Sequence, residues 1–122
     1  MKRAMLVLAT LISTSLLTSP ACAHAFLKRA EPRVGSSIDA SPAELRLDFT
    51  QGLVGEFCSI SLIAPTGAKV PLSKPSLSPS DSAELTARVL QALPPGLYRV
   101  EWRVVSVDTH HTQGEFQFRI AR

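Results

Sequence analysis

Apolar and polar residues alternate along five stretches of the chain. Leu45, Leu47 and Phe49 alternate with Glu44, Arg46 and Asp48. Cys58, Ile60 and Leu62 alternate with Phe57, Ser59 and Ser61, and Leu85, Ala87 and Val89 with Glu84, Thr86 and Arg88. Tyr98, Val100 and Trp102 alternate with Arg99, Glu101 and Arg103, and Phe116, Phe118 and Ile120 with Glu115, Gln117 and Arg119. A period of two sends one set of side chains to each face of a β-strand. Turn-forming residues separate the runs: Gly35-Ser36-Ser37, Ala64-Pro65-Thr66-Gly67, Ser76 to Ser82, and Leu93-Pro94-Pro95-Gly96. The Ser/Pro-rich segment from Ser73 to Ser82 reads as a surface loop. No stretch of ten residues carries a 3.6-residue apolar period, and no internal repeat is present. Short strands joined by Pro/Gly turns predict an all-β, antiparallel sandwich or barrel.

The N-terminal segment follows a different rule. Met1, Lys2 and Arg3 form a short positive region, and an apolar run continues from Ala4 to Leu17. Ser19-Pro20-Ala21-Cys22-Ala23 then places small residues three and one before His24. This is the pattern of a secretory signal peptide over 1–23 with cleavage after Ala23. The run is shorter than the roughly 20 apolar residues that a membrane span requires, so no span is expected in the mature chain. Lipidation at Cys22 would block the amino terminus. The residues before Cys22 lack the aliphatic side chain usual in lipoprotein signals, which argues against it. The expected mature protein is one small domain, 24–122, secreted into the periplasm or beyond.

Loss of Lys2 and Arg3 lowers the formal charge from +3 to +1. The basic character therefore belongs mostly to the leader, and the mature chain lacks the basic stripe that nucleic-acid binding would need. Cys58 is left alone, so no internal disulfide can form. Within a strand-like run it reads as a small core residue.

Three histidines remain: His24, His110 and His111. His24 would be the new N-terminus, where its α-amine, with a pKa of about 8, and its imidazole can chelate one metal ion. Asp108-Thr109-His110 follows the long strand expected to end near Val107. In extended chain, residues two apart point the same way, so Asp108 and His110 would offer an oxygen and a nitrogen together, with His111 turned away. Three nitrogens and one carboxylate oxygen in tetragonal geometry suit Cu(II). Zinc accepts the same donors, and the Asp-x-His spacing also fits a plain turn closed by an Asp side chain.

Leu93-Pro95-Gly96-Tyr98-Val100-Trp102, followed by Val104-Val105-Ser106-x-Asp108-x-His110-x-x-x-Gly114-x-Phe116-x-Phe118, resembles the C-terminal half of the CopC copper-resistance family. His24-Ala25-x-Leu27 with Pro32, and Pro42-Ala43-x-Leu45-x-Leu47-x-Phe49, are similar to its N-terminal half. The resemblance spans nearly all of 24–122. It implies a Greek-key, immunoglobulin-like β-sandwich and a periplasmic copper carrier without catalytic activity. It also implies a Cu(II) site of His24, Asp108 and His110, and work beside a membrane copper transporter of the CopD type. Some family members add a methionine-rich Cu(I) site. The only methionines here are Met1 and Met5 in the leader, so the expected site is for Cu(II) alone.

Two other functions use the same features. A polysaccharide-active copper oxygenase also holds copper through an N-terminal histidine. It needs exposed aromatic or polar surface for its glycan, whereas the few aromatics here are expected at core-facing positions. A plain immunoglobulin-like interaction module would leave the histidines without a role.

Overall fold

The computed structural model describes residues 25–121. The expected signal peptide and His24 lie outside the described residues. Among the described residues the strands are, in chain order, β1 Leu27–Glu31, β2 Ser37–Ile38, β3 Glu44–Phe49, β4 Ser59–Ile63, β5 Lys69–Val70, β6 Ser76–Ser78, β7 Asp81–Arg88, β8 Gly96–Val105 and β9 His111–Ile120. A single turn of 3-10 helix covers Gly55–Phe57, and no α-helix occurs among these residues.

The strands form two sheets, ordered β1-β3-β7-β6 and β2-β9-β8-β4-β5. All pairings are antiparallel except β2 with β9, a two-residue parallel contact of Ser37 with Arg119 and Ile38 with Ile120. The chain passes between the sheets repeatedly, and β3 pairs with β7 only after the excursion through β4 and β5. This is the expected all-β sandwich, and its sequence periodicity explains it. Leu45, Leu47 and Phe49 of β3 and Leu85 and Ala87 of β7 turn inward from one sheet. Ile60, Leu62, Tyr98, Val100, Trp102, Val104, Phe116, Phe118 and Ile120 turn inward from the other. Each large side chain removed from water contributes about 1.5–3 kcal/mol, so this shared layer is what holds the sheets together.

Aromatic geometry orders the layer further. Tyr98 stacks on Phe118 with centroids 5.6 Å apart, and its hydroxyl donates to the Pro94 carbonyl at 2.6 Å. The buried Tyr98 thus keeps a partner for its polar end. Trp102 meets Phe49 edge-on across the sandwich at 5.0 Å. Cys58 is buried, as expected for a packing residue, with its thiol donating to the Val54 carbonyl at 3.3 Å. Burial pushes that thiol's pKa up.

Two expectations need correction. The Ser73–Ser82 segment is not only a loop, because it contains β6, an edge strand paired with β7. Leu77 lies opposite Leu85 and packs against the core; one leucine among serines makes no visible alternation. Prolines at 75 and 79 bracket this short edge strand, as edge positions allow. The aromatics are also not all core-facing. Phe57 is 66% exposed and Phe26 is 48% exposed. Phe57 ends the 3-10 turn before β4 begins, so no strand directs it inward.

Gly114 faces Trp102 across the β8–β9 ladder. A Cβ at 114 would approach the indole Cζ2 to 2.5 Å, inside any real contact distance. Gly114→Ala should therefore destabilise the fold by about 1–3 kcal/mol, the usual cost of overpacking. Urea unfolding followed by the fluorescence of Trp102, the chain's one tryptophan, measures this; an unchanged midpoint would mean the indole moves aside freely.

Candidate metal centre

β8 and β9 pair over ten positions, from Gly96 with Ile120 to Val105 with His111. The five residues between them, Ser106 to His110, form the hairpin turn. Ser106 closes it. Its backbone N–H donates to the His110 carbonyl at 3.0 Å, and its carbonyl accepts from the Thr109 N–H at 2.8 Å. Thr109 takes a left-handed conformation, φ 71°, which a non-glycine residue adopts only at a cost. Neighbouring loops support the turn: Val107 N–H donates to the Gly52 carbonyl and Val54 N–H to the Val105 carbonyl.

The turn brings two of the expected site residues together. His110 Nδ1 lies 3.0 Å from Asp108 Oδ2, with the side chains 48% and 34% exposed. The physical reason differs from the one the sequence suggested. β8 ends at Val105, not near Val107, and Asp108 and His110 converge because the chain folds back at Thr109, not because it runs extended. His111 opens β9 and is exposed, lining a shallow groove with Phe57, Ser59 and Arg103. It takes no part in the Asp108–His110 pair.

Both Asp108 oxygens are engaged. The Ser106 hydroxyl donates to Oδ1 and also lies 3.3 Å from the His110 carbonyl. The Asp108 carboxyl is held below the usual carboxylate range, first by the Ser106 hydroxyl; partial burial opposes this, and His110 reinforces it. The Asp108 carboxylate takes Nδ1 of His110 and so fixes the orientation of the imidazole, as carboxylates do for imidazoles at metal sites. An imidazole nitrogen and a carboxylate oxygen, partly open to solvent, are donors that a divalent transition metal ion accepts.

Among the described residues no group of three or more His, Cys, Asp or Glu gathers around a possible metal position. Asp108 and His110 are thus a two-residue arrangement, and His24 lies outside the described residues. Its covalent neighbour does not. Ala25 is fully buried, and its carbonyl accepts a hydrogen bond from the Thr112 hydroxyl at 2.8 Å, two residues after His110.

Ser106 is the site residue that sequence reasoning missed as a contributor. It is the one buried polar or charged residue among those described. The signal was a serine ending an apolar run, Val104-Val105-Ser106. A carboxyl whose folded pKa is depressed contributes stability above its unfolded value, about 3.9, and loses it as pH falls through the folded value. Ser106→Ala should therefore raise the Asp108 pKa, read by carboxyl NMR titration. The stability gap to wild type should be widest at neutral pH and should narrow below about pH 4. An unmoved Asp108 titration would remove Ser106 as the cause.

Comparison with known proteins bears on the chain as a whole. The family model described as the CopC domain matches residues 27–121. Copper resistance protein C of Escherichia coli is 32% identical over 107 residues, covering 82% of this chain and 83% of that protein. Protein YobA of Escherichia coli K12 is 30% identical over 110 residues, 90% of this chain and 89% of that protein. Copper transport protein CutJ of Bacillus subtilis is 27% identical over 100 residues, which make up 82% of this chain but 18% of CutJ. The crystal structure of CopC from Methylosinus trichosporium OB3b superposes with a TM-score of 0.75 at 32% identity, covering 80% of this chain and 94% of that one. Fold and sequence similarity converge, and the chain belongs to the CopC family of copper-resistance and copper-binding proteins.

Proposed function

We propose that this chain is a periplasmic Cu(II) carrier, freed by cleavage after Ala23, that binds copper through His24, Asp108 and His110 and performs no catalysis. The observation that carries the reading is where the start of the described chain is held. Ala25, the residue after His24, is tied by the Thr112 hydroxyl to the start of β9, two residues after the Asp108–His110 pair. The α-amine and imidazole of His24 supply two nitrogens, and His110 Nε2 supplies a third. Asp108 orients the imidazole and offers its remaining lone pairs to the metal.

The donor set selects the oxidation state. The mature chain holds no methionine, and the sulfur of Cys58 is buried against the Val54 carbonyl. No thioether is present to favour Cu(I), while nitrogen and oxygen donors favour Cu(II). An electron paramagnetic resonance spectrum of the copper-loaded protein reports the tetragonal N/O set directly, and zinc competition tests the preference.

Delivery to a membrane copper transporter of the CopD type completes the reading. Support comes from CutJ, a protein named for copper transport, in which a segment similar to this chain forms less than a fifth of the length. The partly exposed Asp108 and His110 are open to such an exchange.

Adding a single residue before His24 should weaken Cu(II) binding by at least about tenfold, because the amine leaves chelating position and a ligand is lost. Competition titration of the mature and extended proteins measures it, and equal affinities would rule out the N-terminal chelate. Acidification should weaken binding too. Protons compete for an imidazole with pKa about 6.5 and an amine near 8, so affinity should fall steadily from about pH 8 to pH 5. A flat profile over that range would require other ligands.

A further inference from the structure

The start of the described chain is held by two threonines from different sheets. Ala25 gives its carbonyl to the Thr112 hydroxyl of β9, across 87 positions of sequence. Phe26, next in the chain, donates its N–H to Thr50 Oγ1 at 2.9 Å and accepts from the Thr50 N–H at 2.9 Å. Thr50 directly follows β3 of the other sheet. The β1 ladder does not begin until Leu27, and its register is irregular between Leu27 and Arg29. The strand pairing of β1 therefore does not reach Ala25, which is held by its burial in the core, by the Phe26–Thr50 bonds beside it and by the Thr112 hydroxyl.

We infer that Thr112 is a positioning residue for copper, holding the N-terminal half of the site against the Asp108–His110 half. The inference rests on the proposed role of His24. Thr112, the second residue of β9, stands two residues after His110 of the turn, and Ala25 is one peptide bond from His24. One hydrogen bond thus spans the two ends of a chelate whose ligands are far apart in sequence. A terminus free to move must be ordered when the metal binds, and that entropy counts against affinity. A terminus already anchored avoids most of this loss. Packing alone does not require a threonine here: valine has the same shape, and the position pairs with Val104 in a ladder of apolar inward residues.

Substitutions that orient metal ligands indirectly typically cost about 10–100-fold in affinity. Thr112→Val, which keeps the shape and removes the hydroxyl, should weaken Cu(II) binding by about tenfold and broaden the copper resonance spectrum. Thr112→Ser, which keeps the hydroxyl, should bind within about twofold of wild type, since the bond is restored. The same substitutions are made in protein carrying one residue before His24. Thr112→Val should then have no further effect, because the amine it positions is no longer a ligand.

Wild-type affinity in Thr112→Val, beside a clear loss on N-terminal extension, would overturn the role of Thr112 and leave the chelate standing. Equal losses in the mature and extended forms would also overturn it, since the hydroxyl would then be supporting the fold in general. No loss on extension of the wild type would overturn the chelate itself, and with it the inference. Thr112→Ala removes the same hydroxyl without the added methyl and replaces Thr112→Val if that variant does not fold.

Discussion

The Ser106 hydroxyl is buried at the point where β8 ends, and a buried hydroxyl is costly unless it is satisfied. Its available partners are the Asp108 carboxylate and the His110 carbonyl. Satisfying it pulls the chain into the tight turn that forces Thr109 into the left-handed region. That turn brings the Asp108 carboxylate and the His110 imidazole within 3.0 Å. A chemical need of the interior is therefore met by groups that stand at the surface. The Asp108–His110 pair is the outward end of a hydrogen-bond arrangement whose inward end belongs to the core.

The turn is firm because the ladder beneath it is long. Ten residue pairs join β8 to β9, and the inward faces of both strands carry four of the five aromatic side chains buried among the described residues, Tyr98, Trp102, Phe116 and Phe118. A loop on such a scaffold keeps its geometry while its tip stays open to solvent, the usual division between framework and function. Under the proposed carrier function this would matter twice: a preorganised pair lowers the ordering cost of binding, and partly exposed side chains would let an ion pass to another protein.

Surface charge adds little to the fold. Arg46 with Glu44 and Glu84, and Arg99 with Glu101 and Glu115, form pairs on the outer faces of the two sheets, and solvent screening leaves pairs of this kind little weight in stability. They keep the outer faces polar, so that alternation along each strand has a single solution. Stability rests on the apolar layer. The methionines are Met1 and Met5, the Cys58 thiol is buried, and the donors described at the proposed site are the Asp108 carboxylate and the His110 imidazole.

Much of this was legible in the residue order. Alternation in β3, β4, β7, β8 and β9 marks which side chains turn inward, because a strand has only two faces and water selects between them. Chemistry as local as Asp108-x-His110 is readable for a similar reason, since residues two apart stay close in almost any conformation. Residue order also carries the charge and the absence of methionine after Met5. It did not reveal β6, the exposure of Phe57, the reversal at Thr109, the burial of Ser106 or the bond from Thr112 to Ala25. Each of these depends on a partner distant in sequence or on what the neighbouring strand leaves unsatisfied. Leu77 is inward only because Leu85 lies opposite it, and Thr112 meets Ala25 only once both sheets are assembled. Periodicity records which face each residue prefers; only the closed sandwich decides which residues, dozens of positions apart, meet there.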